Sequence, residues 1–589
     1  MADKKEKIYQ DLSSVLKDFH RSEEYTTSYF NRAKTHYKNY RLYRTKADFP
    51  YANSVFTPDT FAYVEDATAR VIQTLFSKEP VFMVTGRDKM ADVGIADQLT
   101  EALSYFTGND EFELFAEAVD FFKSGAMLGT SYLGVYPDFD EDANGQLMYR
   151  GPRFETVDYW DGFPDPKAKR LNKFARYFIR RKVIYSEDLN KLAEQGYYDK
   201  KAVANILEGN FGDIDHNEHS DLLAEIGLSQ YTSEDPNKHE ILEWYGNGQV
   251  VCIGDRQEII KDTRKLNTIA LPYPIPIVDY RYVVMPGEFF GVGIPEIVRD
   301  LQADKNIIRS QRRENVDLIL NKILKIKTGA TDVDIDMLKF FPGAVWMVGD
   351  HEDIKEHDMR DVTSSAYKEE EVITWDMDNA TGQWMYSRGA QPQREETATG
   401  IIRLQQASLA RFDVNIKLTE FTAMRSIAKK IILQMRRFLP QAEYERIIGE
   451  PDKGFYAIPE FDLLRMYDFV PVGSSITNIK ELRATQIMKA QEMLFSVPPQ
   501  VQQMEGFKIN YRNALELGLK EALDIRNVGQ LIQDAPPPPP TNPMMGGGPN
   551  MANIPPDLLL KQAMAKTGGP QKPVRGLEGV QTQMPNLGR

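Results

Sequence analysis

Residues 291–440 limit what this chain can fold into more than any other stretch, because long helical patterns alternate there with inserts too small to cover them. The stretch opens with GVGIPE, where Pro295 suits a first helical turn, its missing N–H being one that a helix leaves unpaired there anyway. Apolar residues recur at Ile294, Ile297, Val298, Leu301, Ile308, Val316, Ile319 and Ile323, the spacing of a helix. The middle of that helix reads QADKNIIRSQRREN, so it is expected to lie exposed or beside charged neighbours, outside the core of a single subunit. A compact insert follows, ILKIKTGATDVDIDMLKFFPGAVWMV, with strand-like ends, an acidic turn and Pro342-Gly343. A second helical segment is expected from about Ser364 to Ser387. SRGAQPQREE at 387–396 reads as a loop, and TATG at 397–400 starts a third helix reaching toward Phe438. A helix pair with a small knob at its tip buries little surface by itself. Copies arranged around an axis would supply the missing neighbours.

The texture differs on either side. Residues 5–45 read as a charged helix with aromatics at Tyr25, Tyr29, Phe30, Tyr37, Tyr40 and Tyr43. Pro58 and Asp59 open another helix, whose expected core stripe is Phe61, Val64, Thr68, Val71, Ile72 and Leu75. A helix near 111–127 sets Phe112, Phe115, Val119, Phe122 and Ala126 on one face. Strands take over from Thr130 to Val284. TSYLGVYP and QLMYRGP flank Asn144-Gly145, and EILEWYG and QVVCIG flank Asn247-Gly248, the hairpin turn in which both residues adopt positive φ. Residues 186–238 read as short helices and loops. GFYAIPEFDLLRMYDFVPVG is a mixed segment, 476–533 is helical again, and Pro536–Pro540 opens a Pro/Gly/Gln-rich end expected to form a flexible tail over 535–589.

Acidic residues outnumber basic ones by 86 to 72, a formal charge of −14, which argues against a protein that wraps nucleic acid tightly. Cys252 is the single cysteine, so neither an intrachain disulfide nor a thiolate metal cluster is possible. MADKKEKIYQDL lacks the apolar core of a secretory signal, and no apolar run approaches the ~20 residues of a membrane helix, so assembly in a reducing cytosol is expected.

Asp140, Asp142, Asn144 and Gly145 match half of a calcium loop, but Gly151 stands where the closing Glu belongs. Asp332, Asp334 and Asp336 alternate in the same way, with Met337 in place of the required glycine, and read as a solvated acidic turn. His216 and His219, among Asp213, Asp215 and Asp221, read as loop residues, as do His351 and His357. GxxxxGK[ST], GxSxG and HExxH motifs are absent, and Cys252 in QVVCIG reads as a small hydrophobe. No enzymatic activity, metal site or cofactor is expected.

Two charge sets remain. Lys305, Arg309, Arg312 and Arg313 recur at helical spacing on the first long helix. Pairing with Glu369, Glu370 and Glu371 of the returning helix, in the same or the next subunit, is favoured over contact with DNA. Arg388 and Arg394 belong to the loop before TATG, where Glu395 and Glu396 also suit the positive end of the following helix.

The ordered set of GxGxPE, DLQ, an Arg- and Asn-rich helix, a PG turn and TATG opening a long helix resembles the portal (head-to-tail connector) proteins of tailed bacteriophages, above all those of short-tailed phages. The resemblance covers roughly Tyr40 to Gln533. It implies a mainly α fold with a β-rich insertion (α+β) and a ring, usually dodecameric, at one capsid vertex, assembled in the host cytoplasm. Double-stranded DNA passes through such a ring. Carried onto this chain, residues 1–290 would be the wing, 291–325 the first stem helix, 326–362 the clip and 363–388 the second stem helix. The tunnel loop and long wing helix would span 389–440, a mixed segment 441–475, the crown 476–534 and the tail 535–589. Arg388 and Arg394 would then face DNA in the channel, and Asp332, Asp334 and Asp336 would meet a basic partner at the clip. The implied partners are the terminase large subunit, a head-tail adaptor, and the major capsid and scaffold proteins, with no membrane. Two other readings stand beside this one. An oligomeric helical scaffold without a DNA channel would want a sustained heptad seam, which 302–315 interrupts. A nuclease would want a magnesium-binding carboxylate cluster.

Overall fold

The computed structural model describes residues 2–43, 54–87, 91–108, 114–141, 147–171, 175–209, 218–227, 237–265, 270–320, 323–328, 354–357, 363–383 and 411–472, with Lys489 and Glu492 besides. The chain divides into two units, Met1–Gln486 and Ile487–Arg589. Nearly all described residues lie in the first, which mixes helix and sheet.

A helix over Ala2–Tyr40 leads, burying Val15, Phe19, Ser22, Thr26, Phe30, Ala33 and Tyr40 at intervals of three, four and seven. The helix Asp59–Leu75 follows, and its core stripe is Thr60, Tyr63, Val64, Ala67, Thr68, Val71 and Leu75. Phe61, expected in that stripe, is 43% exposed and packs its ring 5.3 Å from that of Tyr40. In the helix Leu114–Leu128 the expected Phe122 and Ala126 face the core with Leu114, Ala118 and Phe121, while Phe115, also expected there, is 55% exposed. Both errors have one cause. Two apolar stripes lie side by side on each helix, and only the neighbours decide which faces inward. Phe112 lies outside the described residues.

Strand β1 (Phe82–Gly86) precedes the helix Val93–Gly108. β2 (Thr130–Glu141) and β3 (Leu147–Val157) pair antiparallel from Tyr132↔Val157 to Glu141↔Leu147, around a turn outside the described residues. β4 (Gly162–Pro164) and β5 (Phe178–Tyr185) come next, then three short helices, Ser186–Glu194, Lys200–Glu208 and Glu218–Glu225. β6 (Lys238–Gly246) and β7 (Gln249–Gly254) form the expected second hairpin, with Asn247 at φ +52° and Gly248 at φ +74°. With β8 (Glu258–Asp262) they complete a five-stranded sheet in the order β4-β5-β6-β7-β8. β9 (Ile277–Arg281) joins β2 and β3 in a sheet ordered β3-β2-β9.

The GVG ahead of Pro295 is a close backbone crossing. A Cβ on Gly293 would come within 2.6 Å of the Met127 carbonyl oxygen, and one on Gly129, itself at φ +88°, within 2.3 Å of that of Gly291. Three glycines thus let the helix Ile294–Leu320 start directly against the end of the helix Leu114–Leu128. β10 (Leu324–Ile326) and β11 (Ile354–Glu356) then pair antiparallel, and the helix Thr363–Thr381 returns along Ile294–Leu320. Helical residues 411–419 run through a π-helical turn, Glu420–Met424, into the helix Arg425–Phe438. After the helices Gln441–Ile448 and Glu460–Met466, β12 (Tyr467–Pro471) pairs antiparallel with β1, Phe82 opposite Pro471.

The helix Arg425–Phe438 crosses the core, burying Ile427, Ala428, Ile431, Ile432 and Met435, yet two of its buried residues are polar. Lys430 donates from Nζ to the Ile275 carbonyl and lies over the Tyr273 ring at 4.6 Å. Gln434 donates to the Val135 carbonyl at 2.8 Å and to Tyr273 Oη at 2.5 Å. Burial pushes the Lys430 amine down to about 7, against only the opposing pull of Asp279. The unfolded chain therefore holds this proton up to a higher pH than the folded chain does. Stability from this site is lowest in acid and rises with pH from about 7 toward the ordinary lysine range. Lys430→Met should stabilise the subunit by on the order of 2–4 kcal/mol at pH 7 and flatten that rise, measured as denaturant midpoints between pH 6 and about 10. An undiminished rise in the variant would mean that the slope comes from other groups.

Candidate functional site

The helical hairpin meets the rest of the subunit along a buried polar seam. Gln302, Asn306 and Ser310, four residues apart on the helix Ile294–Leu320, share one face with no exposed surface. Gln302 Oε1 accepts from the Thr60 N–H and from Thr60 Oγ1, both at 3.1 Å. Its Nε2 donates to the Thr57 carbonyl at 3.1 Å and to Thr57 Oγ1 at 2.8 Å. Asn306 Oδ1 accepts from the Thr57 N–H at 3.1 Å, and Ser310 Oγ from the Val55 N–H at 3.0 Å. The helix Asp59–Leu75 has Pro58 at its cap position and no cap of its own, so Gln302 satisfies an N–H that its first turn leaves orphaned. One face of the polar middle, Gln302, Lys305, Asn306 and Ser310, is inside the subunit, while Asp304, Gln311 and Arg313 lie exposed and Lys305, Arg309 and Arg312 sit beside acidic partners, as the composition leads one to expect. The residues that looked unfit for a core find amide and hydroxyl partners in 55–60.

The basic residues divide. Arg309 Nη1 meets Glu370 Oε1 at 3.0 Å, and Arg312 Nη1 meets Glu370 Oε2 at 2.5 Å. Arg312 also lies 4.2 Å from the Tyr367 ring centre. Lys305, buried, pairs instead with Asp59 Oδ1 at 3.0 Å, and Arg313 with Asp317 of its own helix at 3.6 Å. Glu369 and Glu371 are exposed, since only the central residue of a run of three points at the opposite helix. The returning helix is tied further inward, where Tyr63 Oη donates to Asp378 Oδ1 at 2.5 Å and Gln383 Nε2 to the Tyr63 carbonyl at 3.0 Å.

Opposite these contacts the hairpin exposes large apolar groups. Trp375 is 57% exposed, Val372 51% and Leu320 73%. Arg388, Arg394, Asp332, Asp334 and Asp336 lie outside the described residues. The seam's partners in 55–60, Asp59 above all, escaped the sequence reading because nothing in a linear pattern couples them to residues 240 positions on. Among the described residues no group of three or more His, Cys, Asp and Glu is placed to hold a metal, and no helix is long and apolar enough to cross a membrane. Cys252 is buried in β7, and burial pushes its thiol well above the ordinary range. Glu370→Gln should lower subunit stability by about 1–2 kcal/mol, with Glu369→Gln and Glu371→Gln near neutral, as read by thermal melting. Equal losses at all three positions would reject the one-residue network.

A model of the phage SU10 portal protein family matches residues 144–550, more than half of the chain. The match begins at the turn between β2 and β3 and takes in the five-stranded sheet, both helices of the hairpin and their polar seam on the 302–310 side. No curated protein matches the chain in sequence. The chain belongs to the phage SU10 portal protein family and is a tailed-phage portal protein.

Proposed function

We propose that this portal protein forms a ring at one capsid vertex, usually twelve subunits in such assemblies, and conducts double-stranded DNA during packaging and ejection. Family membership carries ring assembly and a place in the virion capsid. The observation on this chain that supports the reading is the apolar outer face of the hairpin. Val372, Trp375 and Leu320 stand exposed on helices whose other side is held to the subunit by polar bonds, a surface suited to neighbouring copies.

In this reading 1–290 is the wing, 291–325 and 363–388 are the stem helices, and 326–362 is the clip that docks the terminase large subunit and later the head-tail adaptor. Residues 389–440 carry the tunnel loop and long wing helix, 476–534 the crown, and 535–589 a tail, with 441–475 between them. Arg309, Arg312 and Glu370 form the stem charge network, Asp332, Asp334 and Asp336 the clip's acidic contact, and Arg388 and Arg394 transient phosphate contacts. Assembly takes place in the host cytoplasm with major capsid and scaffold proteins. Transport energy comes from the terminase, so the conduit role asks no chemistry of this chain. The net charge of −14 suits a wall past which a duplex slides, because cations that released counterions would hold it.

Electron microscopy of the purified chain tests this: rings with a hole wide enough for a duplex are expected, and filaments or monomers would favour a scaffold without a channel. Val372→Lys with Trp375→Lys should abolish rings while leaving subunit melting unchanged. Rings that persist would place the subunit contact elsewhere. Arg388→Ala with Arg394→Ala should leave rings intact but impair packaging or retention of DNA, and normal packaging would remove the DNA role from that loop.

A further inference from the structure

Three strand ends of the five-stranded sheet meet at one edge. β5 ends at Tyr185, opposite Lys238 at the start of β6, and β7 ends at Gly254, opposite Ile241. Ser186 follows β5 directly and opens a nine-residue helix, His239 lies in β6, and Asp255 follows β7. Their side chains form a continuous hydrogen-bonded row. Ser186 Oγ is 3.0 Å from His239 Nε2, and His239 Nδ1 is 2.8 Å from Asp255 Oδ2. Asp255 is buried, and its Oδ1 accepts the Glu240 N–H at 2.9 Å, which holds the carboxylate in place. Its backbone adopts φ +45° beside Arg256 at φ +58°, two successive non-glycine residues in the left-handed region. His239 is 9% exposed and Ser186 half-buried, so the serine end of the row is the end that reaches solvent. The Asn237 carbonyl, 3.0 Å from Ser186 Oγ, competes for the hydroxyl proton.

We propose that Ser186, His239 and Asp255 form a hydrolytic centre for small, uncharged carboxylic esters, separate from the conduit role and independent of it. The order of groups is that of a nucleophile, its base and the residue that orients the base. In the first step Ser186 Oγ attacks the ester carbonyl and passes its proton to His239 Nε2. The C–O bond to the leaving alcohol breaks, and the alcohol takes that proton, leaving an acyl-serine. Water then gives a proton to His239, attacks the acyl carbon and frees the carboxylic acid, and the proton returns to Ser186. One ester and one water become one acid and one alcohol. The first-turn N–H groups of the helix, beginning with that of Glu187 next to the nucleophile, lack intrahelical acceptors and suit the developing oxyanion. Glu187 and Asp188 in the same turn repel anionic substrates, in keeping with an uncharged ester. Val183 and Tyr185, both exposed on β5, are the apolar side chains next to Ser186 in the chain.

Full-length protein treated with a fluorophosphonate probe, with modified residues mapped by mass spectrometry, tests the proposal. An adduct on Ser186 is expected, absent in Ser186→Ala, and formed at least ~100-fold more slowly in His239→Gln and Asp255→Asn. p-Nitrophenyl acetate hydrolysis should fall in parallel. Ser186→Ala removes one half-buried hydroxyl, so its melting temperature should match that of the parent and separate lost chemistry from lost folding. No adduct at Ser186, or equal labelling in His239→Gln, would overturn the proposal and leave the row as a staple between three strand ends.

Discussion

Gln302 does for the helix Asp59–Leu75 what the residue before that helix cannot. Pro58 has no side-chain acceptor, so without Gln302 a buried first-turn N–H would be left unmade. An unsatisfied buried polar group costs about 1–3 kcal/mol, and this seam satisfies several with one face of one helix. Asn306 and Ser310 extend the same device by one turn each, and Lys305 adds a charge beside Asp59. Apolar packing is non-directional and tolerates slippage. A row of amide and hydroxyl bonds at four-residue spacing admits one register of the hairpin on the 55–75 segment.

The rest of the first unit is arranged so that this register holds. Gly291 and Gly293 start the helix against the backbone of 127–129, fixing where along the subunit the seam begins. Tyr63, inside the helix that Gln302 caps, reaches Asp378, so the same element holds both arms of the hairpin. Glu370 closes the pair from the other side by taking two arginines at once. On the opposite flank Lys430 and Gln434 bind the carbonyls of Ile275 and Val135, attaching the helix Arg425–Phe438 to the sheet β3-β2-β9. Along the hairpin the polar bonds face inward together with Val298, Ile373 and Met377, while Val372, Trp375 and Leu320 face out.

Much of the architecture was legible because it is local. Asn247-Gly248 specified its hairpin through the positive φ of both residues, and Pro295 marked the first turn of the long helix. The helical hairpin and the strand-rich 130–284 followed from periodicity, and the ordered motifs pointed to the family that the 144–550 match shows. Rotation of a helix about its axis was less legible. Phe61 and Phe115 were placed inward by pattern and stand outward, because each helix carries more apolar residues than one face can hold. The charged neighbours of 302–315 were legible from its composition, whereas its buried face of Gln302, Asn306 and Ser310 was not, because composition cannot report that partners await polar residues.

The sequence by itself determined the paired long helices, the Asn247-Gly248 hairpin and the family, since these depend on interactions within a few residues or on an ordered set of short motifs. Tertiary structure alone decided which Glu of 369–371 takes the arginines, that Lys305 turns to Asp59, and that Ser186, His239 and Asp255 share one sheet edge. Each of those depends on groups far apart in the chain arriving within about 3 Å of one another. Hydrogen bonds and ion pairs are decided at that range, and spacing along the chain does not encode it.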